Sequence, residues 1–152
     1  MPAGDGNGWV DPCACGRRHW GRHGAAGLLV TSGASVLLQL RSAWTHNGGT
    51  WALPGGARDS HEDAVAAALR EAAEETTLDL GSLTVYDQVV DDHGPWSYTT
   101  VLAHAPDTGT VEVSNAESDA VRWWPVVEVD ALPLHYGFAA SWPALRARLD
   151  AD

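Results

Sequence analysis

The chain has 152 residues and carries 9 basic against 20 acidic side chains, a formal net charge of −11. That length suits one domain with its own hydrophobic core, and such acidity argues against sequence-independent binding to nucleic-acid polymers, which takes basic patches. No run of 18 apolar residues offers a membrane span, the opening residues lack the basic and apolar pattern of an export signal, and 2 cysteines make no disulfide scaffold, so a cytoplasmic address is expected.

Residues 1–23 are rich in glycine, proline and polar side chains and read as an N-terminal arm, with residues 24–152 as the domain proper. Within the arm, Cys13, Cys15, His19 and His23 are residue types that ligate zinc. Their spacing is tighter than the common structural zinc patterns, so two free thiols and two surface histidines are the favoured reading. Trp9 and Trp20 are expected to cover a hydrophobic edge of the domain.

From Gly24 the pattern becomes strand-like. Residues 25–31 and 35–41 are apolar runs around Ser32-Gly33 and read as a hairpin. Residues 42–50 are rich in turn formers, where Trp44 or His46 is placed to line a substrate pocket or merely to prop the loop. Arg41, at the strand end, is a candidate phosphate contact, with a surface ion pair as the ordinary alternative.

Pro54-Gly55-Gly56 is turn chemistry, one φ fixed and two freed. The next stretch, to about Thr76, is mostly Ala, Leu, Glu and Arg and predicts a helix. Ser60 is the expected N-cap, with Asp63 as a weak capping-box partner. Val65, Leu69 and Ala72 recur at core spacing, with Ala68 and Ala73 beside them. Ala66 and Ala67 keep the helix slim. Glu71, Glu74 and Glu75 fall at i, i+3 and i+4, gathering carboxylates on one surface strip. Such repulsion costs an isolated helix a few tenths of a kcal/mol per pair, about 0.3, and a hard divalent cation would reverse its sign. A solvated acidic face is the plainer alternative.

Beyond the helix, residues 83–92 and 97–104 read as strands around the turn Asp91-Asp92-His93-Gly94-Pro95. Residues 111–113 read as a short edge strand, 114–119 as a polar acidic loop, and 120–124 as a strand stopped by Pro125. Residues 138–149 read as an amphipathic helix with Phe138, Trp142, Leu145 and Leu149 on its packing stripe.

The stretch Gly56, five residues, Glu62, seven residues, then Arg70-Glu71-Ala72-Ala73-Glu74-Glu75-Thr76-Thr77-Leu78 resembles the Nudix box of the MutT-like Nudix hydrolases. The preceding Trp51-Ala52-Leu53-Pro54-Gly55-Gly56 is similar to that family's lead-in. Thr77 departs from the pattern, standing where the family usually has glycine, which leaves the shape of the helix end open. The resemblance implies an α/β/α sandwich with a mixed β-sheet, and cleavage of a nucleoside diphosphate linked to another moiety with Mg²⁺ or Mn²⁺. It points to Glu71, Glu74 and Glu75 as metal ligands, with a Gly55 or Gly56 carbonyl added. It also gives Arg70 and Glu62 orienting roles and Glu117 a metal-binding or water-activating role, with Asp119 as understudy.

The expected substrate is a small-molecule nucleotide, first a nucleoside triphosphate cleaved to monophosphate and diphosphate, an oxidised guanine nucleotide among them. ADP-ribose or a nucleotide sugar is the alternative, and a nucleotide-sensing module without catalysis or an acidic interaction domain are the non-enzymatic ones. Glu75 or Glu117 is the expected base, and Trp44, Trp96 and Tyr98 are the aromatics available to stack on a nucleobase. No membrane partner is expected, and a monomer and a homodimer are both compatible with the sequence.

Overall fold

In the computed structural model, residues 5–10, 19–45 and 48–151 are described; Cys13, Cys15 and His46 lie outside them. The strands are β1 (Trp9–Val10), β2 (His19–Trp20), β3 (Ala25–Ser32), β4 (Ser35–Arg41), β5 (Trp51–Ala52), β6 (Gly55–Ala57), β7 (Thr84–Asp92), β8 (Ser97–His104) and β9 (Ser118–Pro125). Helix α1 spans Ala64–Glu75 and α2 spans Tyr136–Ala151.

β3 and β8 run parallel at the centre of a mixed sheet, and the remaining pairings are antiparallel. Alternation along the strands divides the core in two. Leu28, Val30, Leu37 and Val101 meet α1 on one face. Leu29, Val36, Leu38 and Leu102 meet Phe138, Trp142 and Leu145 of α2 on the other. The expected stripe of α2 is therefore its packing face, with Leu149 partly buried at its end. Helix on sheet on helix is the α/β/α sandwich, and it explains why β3 is apolar nearly throughout: both of its faces are covered.

The site is set by a splay in the sheet. β3 and β4 pair only beside their turn, at Thr31↔Val36 and Ser32↔Ser35. Further along, β3 takes β6 as its partner and β4 takes β5. Residues 51–57 thus enter the gap as a wedge, fastened by the Leu28 amide donating to the Pro54 carbonyl at 2.8 Å. Glycine is needed in the wedge at Gly55, where a β-carbon would lie 2.4 Å from the Ala26 carbonyl oxygen.

Helix α1 differs from expectation at its start and on its inner face. Its N-cap is Asp63, whose carboxylate accepts from the Ala66 amide at 2.7 Å. Ser60 lies before the helix, with its amide and hydroxyl both donating to Asp5. The buried stripe is Ala64, Ala67, Ala68 and Ala72, while Val65 and Leu69 pack at its flank and Ala66 and Ala73 face outward. Methyl-sized side chains let the helix lie close on the sheet.

The helix ends at Thr76 in the extended conformation, φ −138° and ψ 165°. Thr77 then exchanges hydrogen bonds with Glu112, its amide donating to the Glu112 carbonyl and its hydroxyl accepting from the Glu112 amide, both at 2.9 Å. Residues 111–113 form no strand; a single bridge, Thr76↔Val113, ties them to the helix exit.

Candidate active site

The wedge, the helix and the loop before β9 converge on a cavity of about 790 Å³. Glu71 and Glu75 point from α1 toward the Gly55-Gly56 backbone. The Gly55 amide donates to Glu75 at 3.2 Å, and Gln39 of β4 donates to the same carboxylate at 3.5 Å. Gly56 leaves room for Glu71: a β-carbon there would lie 2.6 Å from the Glu71 carboxyl carbon.

The expected surface strip is therefore graded. Glu75 is only 4 % exposed, Glu71 is largely buried and Glu74 faces solvent. Burial, and then the neighbouring Glu71 charge, push the Glu75 carboxyl up to about 8. Burial also raises Glu71, against the opposing pull of Arg70.

Arg70 balances this negative charge from the side. Its Nε and one terminal nitrogen grip Glu62 at 2.7 and 2.9 Å, a bidentate pair. The same nitrogen donates to the Ala57 carbonyl at 3.0 Å, and the other donates to Glu71 at 3.0 Å and Glu74 at 3.3 Å. The bond from Arg70 holds Glu62 below the usual carboxylate range. Asp59, buried behind the pair, stands 3.6 Å from Arg70 and accepts from the Gly6 amide at 3.0 Å. Asp59, His61 and Glu62 form an oxygen- and nitrogen-rich group, but Arg70 already answers the charge of its two carboxylates.

Glu117 lines the cavity on a loop clamped to the end of α1. Ser114 donates to the Glu75 carbonyl at 2.8 Å, Asn115 donates to the Glu74 carbonyl at 3.3 Å, and the Asn115 side chain accepts from the Glu117 amide at 3.0 Å. Asp119 turns away to accept from the Ser42 hydroxyl at 3.0 Å. Arg41 and Trp44 line the same end of the cavity, Trp44 with 71 % of its surface exposed.

Trp96 and Tyr98 lie toward the opposite edge of the sheet. The Tyr98 hydroxyl reaches over Gly27, where a β-carbon would sit 1.9 Å from it, and burial raises that hydroxyl's pKa. Trp96 stacks on His19, with ring centres 4.0 Å apart and planes 7° apart. The cavity therefore brings together Arg70, Glu71, Glu74, Glu75, Glu117, Gly56, Arg41, Trp44, Trp96 and Tyr98.

Residues 21–145 match the NUDIX domain. The chain belongs to the Nudix family. It is 49 % identical, over 94 % of its length and 70 % of the relative's, to a Mycobacterium tuberculosis protein named "Putative 8-oxo-dGTP diphosphatase 3". It is 42 % identical to a Bifidobacterium longum "Nucleoside triphosphate pyrophosphatase/Nudix hydrolase fusion protein", covering 95 % of this chain but 32 % of the fusion. Among solved structures, the Nudix hydrolase RenU of M. smegmatis superposes with a TM-score of 0.87 at 48 % identity, covering 96 % of each chain. A C. elegans Ap4A hydrolase complex shares the fold alone, with a TM-score of 0.67 at 21 % identity over 86 % of this chain and 99 % of the other. The chain is thus a Nudix hydrolase, an enzyme, and residues 56–78 are its Nudix box.

Several residues at this Nudix site were not singled out from sequence. Gln39 and Asp59 reach it through partners distant in the chain, which no local pattern announces. Trp9 and Trp20, expected to cover a hydrophobic edge, line the cavity and remain 47 % and 43 % exposed. His19, weighed as a zinc ligand, is buried against Trp96.

Proposed function

We propose that the enzyme hydrolyses a nucleoside triphosphate to the monophosphate and diphosphate, oxidised guanine nucleotides included, with Mg²⁺ or Mn²⁺ held by Glu71, Glu74 and Glu75. The observation that carries this reading is the burial of Glu71 and Glu75 side by side against the Gly55-Gly56 backbone. Two carboxylates so placed repel each other and lose solvation, a cost that a hard cation removes. The donor set fits such an ion: carboxylate oxygens, with the Gly56 backbone beside them. When bound, the ion supplies charge neutralisation at the diphosphate and a lowered pKa for water. The M. tuberculosis relative's name points to the oxidised guanine nucleotide.

The protein's own groups do the rest. Arg70 fixes Glu71 and Glu74, so their oxygens face the cavity without reorganising during reaction. Glu117 or Glu75 takes the proton as water attacks phosphorus and the bond to the leaving phosphate oxygen breaks. Arg41 meets the outer phosphates. The test is nucleoside monophosphate release across a panel of nucleoside triphosphates, ADP-ribose and nucleotide sugars during an Mg²⁺ titration. Metal-dependent release from triphosphates, fastest with an oxidised guanine base, is the expected result. Release only from ADP-ribose or sugars would replace this substrate assignment.

A further inference from the structure

Asn7, Trp9, His19 and Trp20 line the cavity, and the geometry points to a nucleobase subsite on the two short strands that carry the last three. This inference rests on the nucleotide reading above. β1 and β2 pair antiparallel at Trp9↔Trp20 and Val10↔His19. The resulting ribbon is fastened at each end. The Gly21 amide donates to Gly8 and the Arg22 amide to Gly6, both at 2.7 Å, and Gly6 donates to the buried Asp59. On the sheet side, the Trp96 indole nitrogen donates to the Trp20 carbonyl at 3.2 Å, and His19 is stacked flat on the Trp96 ring.

This anchoring holds two tryptophans that the fold itself does not bury. Trp9 and Trp20 meet edge to face, with centres 5.3 Å apart and planes 77° apart. They form a corner that offers a planar ligand one ring to stack on and one ring edge to abut. Large aromatic surfaces left this open beside a cavity are a mark of a binding site. The neighbouring groups narrow the ligand. The corner opens into the same cavity as Arg70, Glu71 and Glu75, so its occupant is carried on a diphosphate. Asn7 and Asp91 share the lining and supply a hydrogen-bond donor and acceptors for the edge of a heteroaromatic ring. A nucleobase is planar, polar at its rim and joined to phosphate, and meets each requirement. His19 acts as a positioning residue by bracing Trp96.

The test uses the full chain and measures binding of two probes, an α,β-imido guanosine triphosphate and inorganic tripolyphosphate, which lacks the base. Trp9→Ala and Trp20→Ala should each weaken the nucleotide about tenfold or more, the range of a lost base stack. Each should leave tripolyphosphate within about twofold, since stacking acts on the base alone. With hydrolysable substrate the loss should fall on KM more than on kcat, and Trp9→Phe should restore most of it. Thermal melts show whether each variant is folded. Equal weakening of both probes, or of neither, overturns the subsite. So does a wild-type protein that binds the two probes equally, although triphosphate hydrolysis, read separately by diphosphate release, would then still stand. If neither probe binds and no triphosphate is cleaved, the nucleotide reading itself falls.

Discussion

The two ends of the cavity are held by different physics. At the box, charged groups are locked together: Arg70 touches Glu62, Glu71 and Glu74, and Glu75 is gripped by a backbone amide. At the ribbon, aromatic rings lean on one another, and backbone hydrogen bonds fasten the strands. Buried ionic groups tolerate little displacement, because each lost partner leaves a desolvated charge. Stacked rings tolerate sliding and exchange. On the function proposed above, bond cleavage, which must be the same for every substrate, falls to the unforgiving region. Choice among bases sits in the forgiving one.

Breaking the box should have the largest effect. Glu74→Gln removes a carboxylate that faces the cavity without uncovering a core, so turnover should fall by about 10²–10³-fold while the melting temperature barely moves; unchanged diphosphate release would dismiss the site. Arg70→Ala should cost about 3 kcal/mol in urea unfolding, because Glu62 and Asp59 lose their cation in a desolvated place, and activity should fall with it. A smaller change, Gly56→Ala, puts a methyl group against the Glu71 carboxyl. It should cut activity about tenfold, in line with displacing one ligand from its support, and weaken Mn²⁺ binding measured by calorimetry.

Glu75 gives the comparison a pH axis. Its folded pKa is raised from 4.5 to about 8, so between those values the folded protein keeps a proton that the unfolded chain releases. Stability of the metal-free protein should therefore fall as pH climbs from about 4.5 to about 8, by up to about 1.4 kcal/mol per pH unit, and level off above. Melting curves should show this slope, and Glu75→Gln should flatten it. The gentlest probe lies where the two ends meet. Asp59→Asn weakens the bond that ties Gly6 to the box and should lower stability by about 1 kcal/mol. An effect on nucleotide affinity larger than on diphosphate release would show the ribbon to be the looser partner.

Much of the box could be read from the chain because its function follows helical spacing. Residues three and four apart must share a side of a helix, so Glu71, Glu74 and Glu75 could be grouped without coordinates. Strands around a turn, such as β3 and β4, are likewise local. Depth was not legible: nothing in the spacing says that Glu75 is buried and Glu74 exposed, since that depends on a wedge arriving between two splayed strands. The N-cap was misplaced for a similar reason. Ser60 and Asp63 both suit the position, and the choice is settled by Asp5, 55 residues from Ser60, which engages the serine. The ribbon's place at the cavity rests on Trp96 meeting Trp20 across 76 positions, a pairing that neither segment advertises by itself.

The exit of α1 has a consequence for anyone who would treat residues 56–78 as a portable cassette. The helix leaves through Thr76 in an extended conformation, and Thr77 then clasps Glu112 through its amide and its hydroxyl. Glycine at position 77 would remove the hydroxyl that accepts from the Glu112 amide. Ser114 and Asn115 are fastened to the same helix end, so Glu117 travels with it. A graft into another framework would have to carry residues 112–117 along with the box, or arrive without one of its acids.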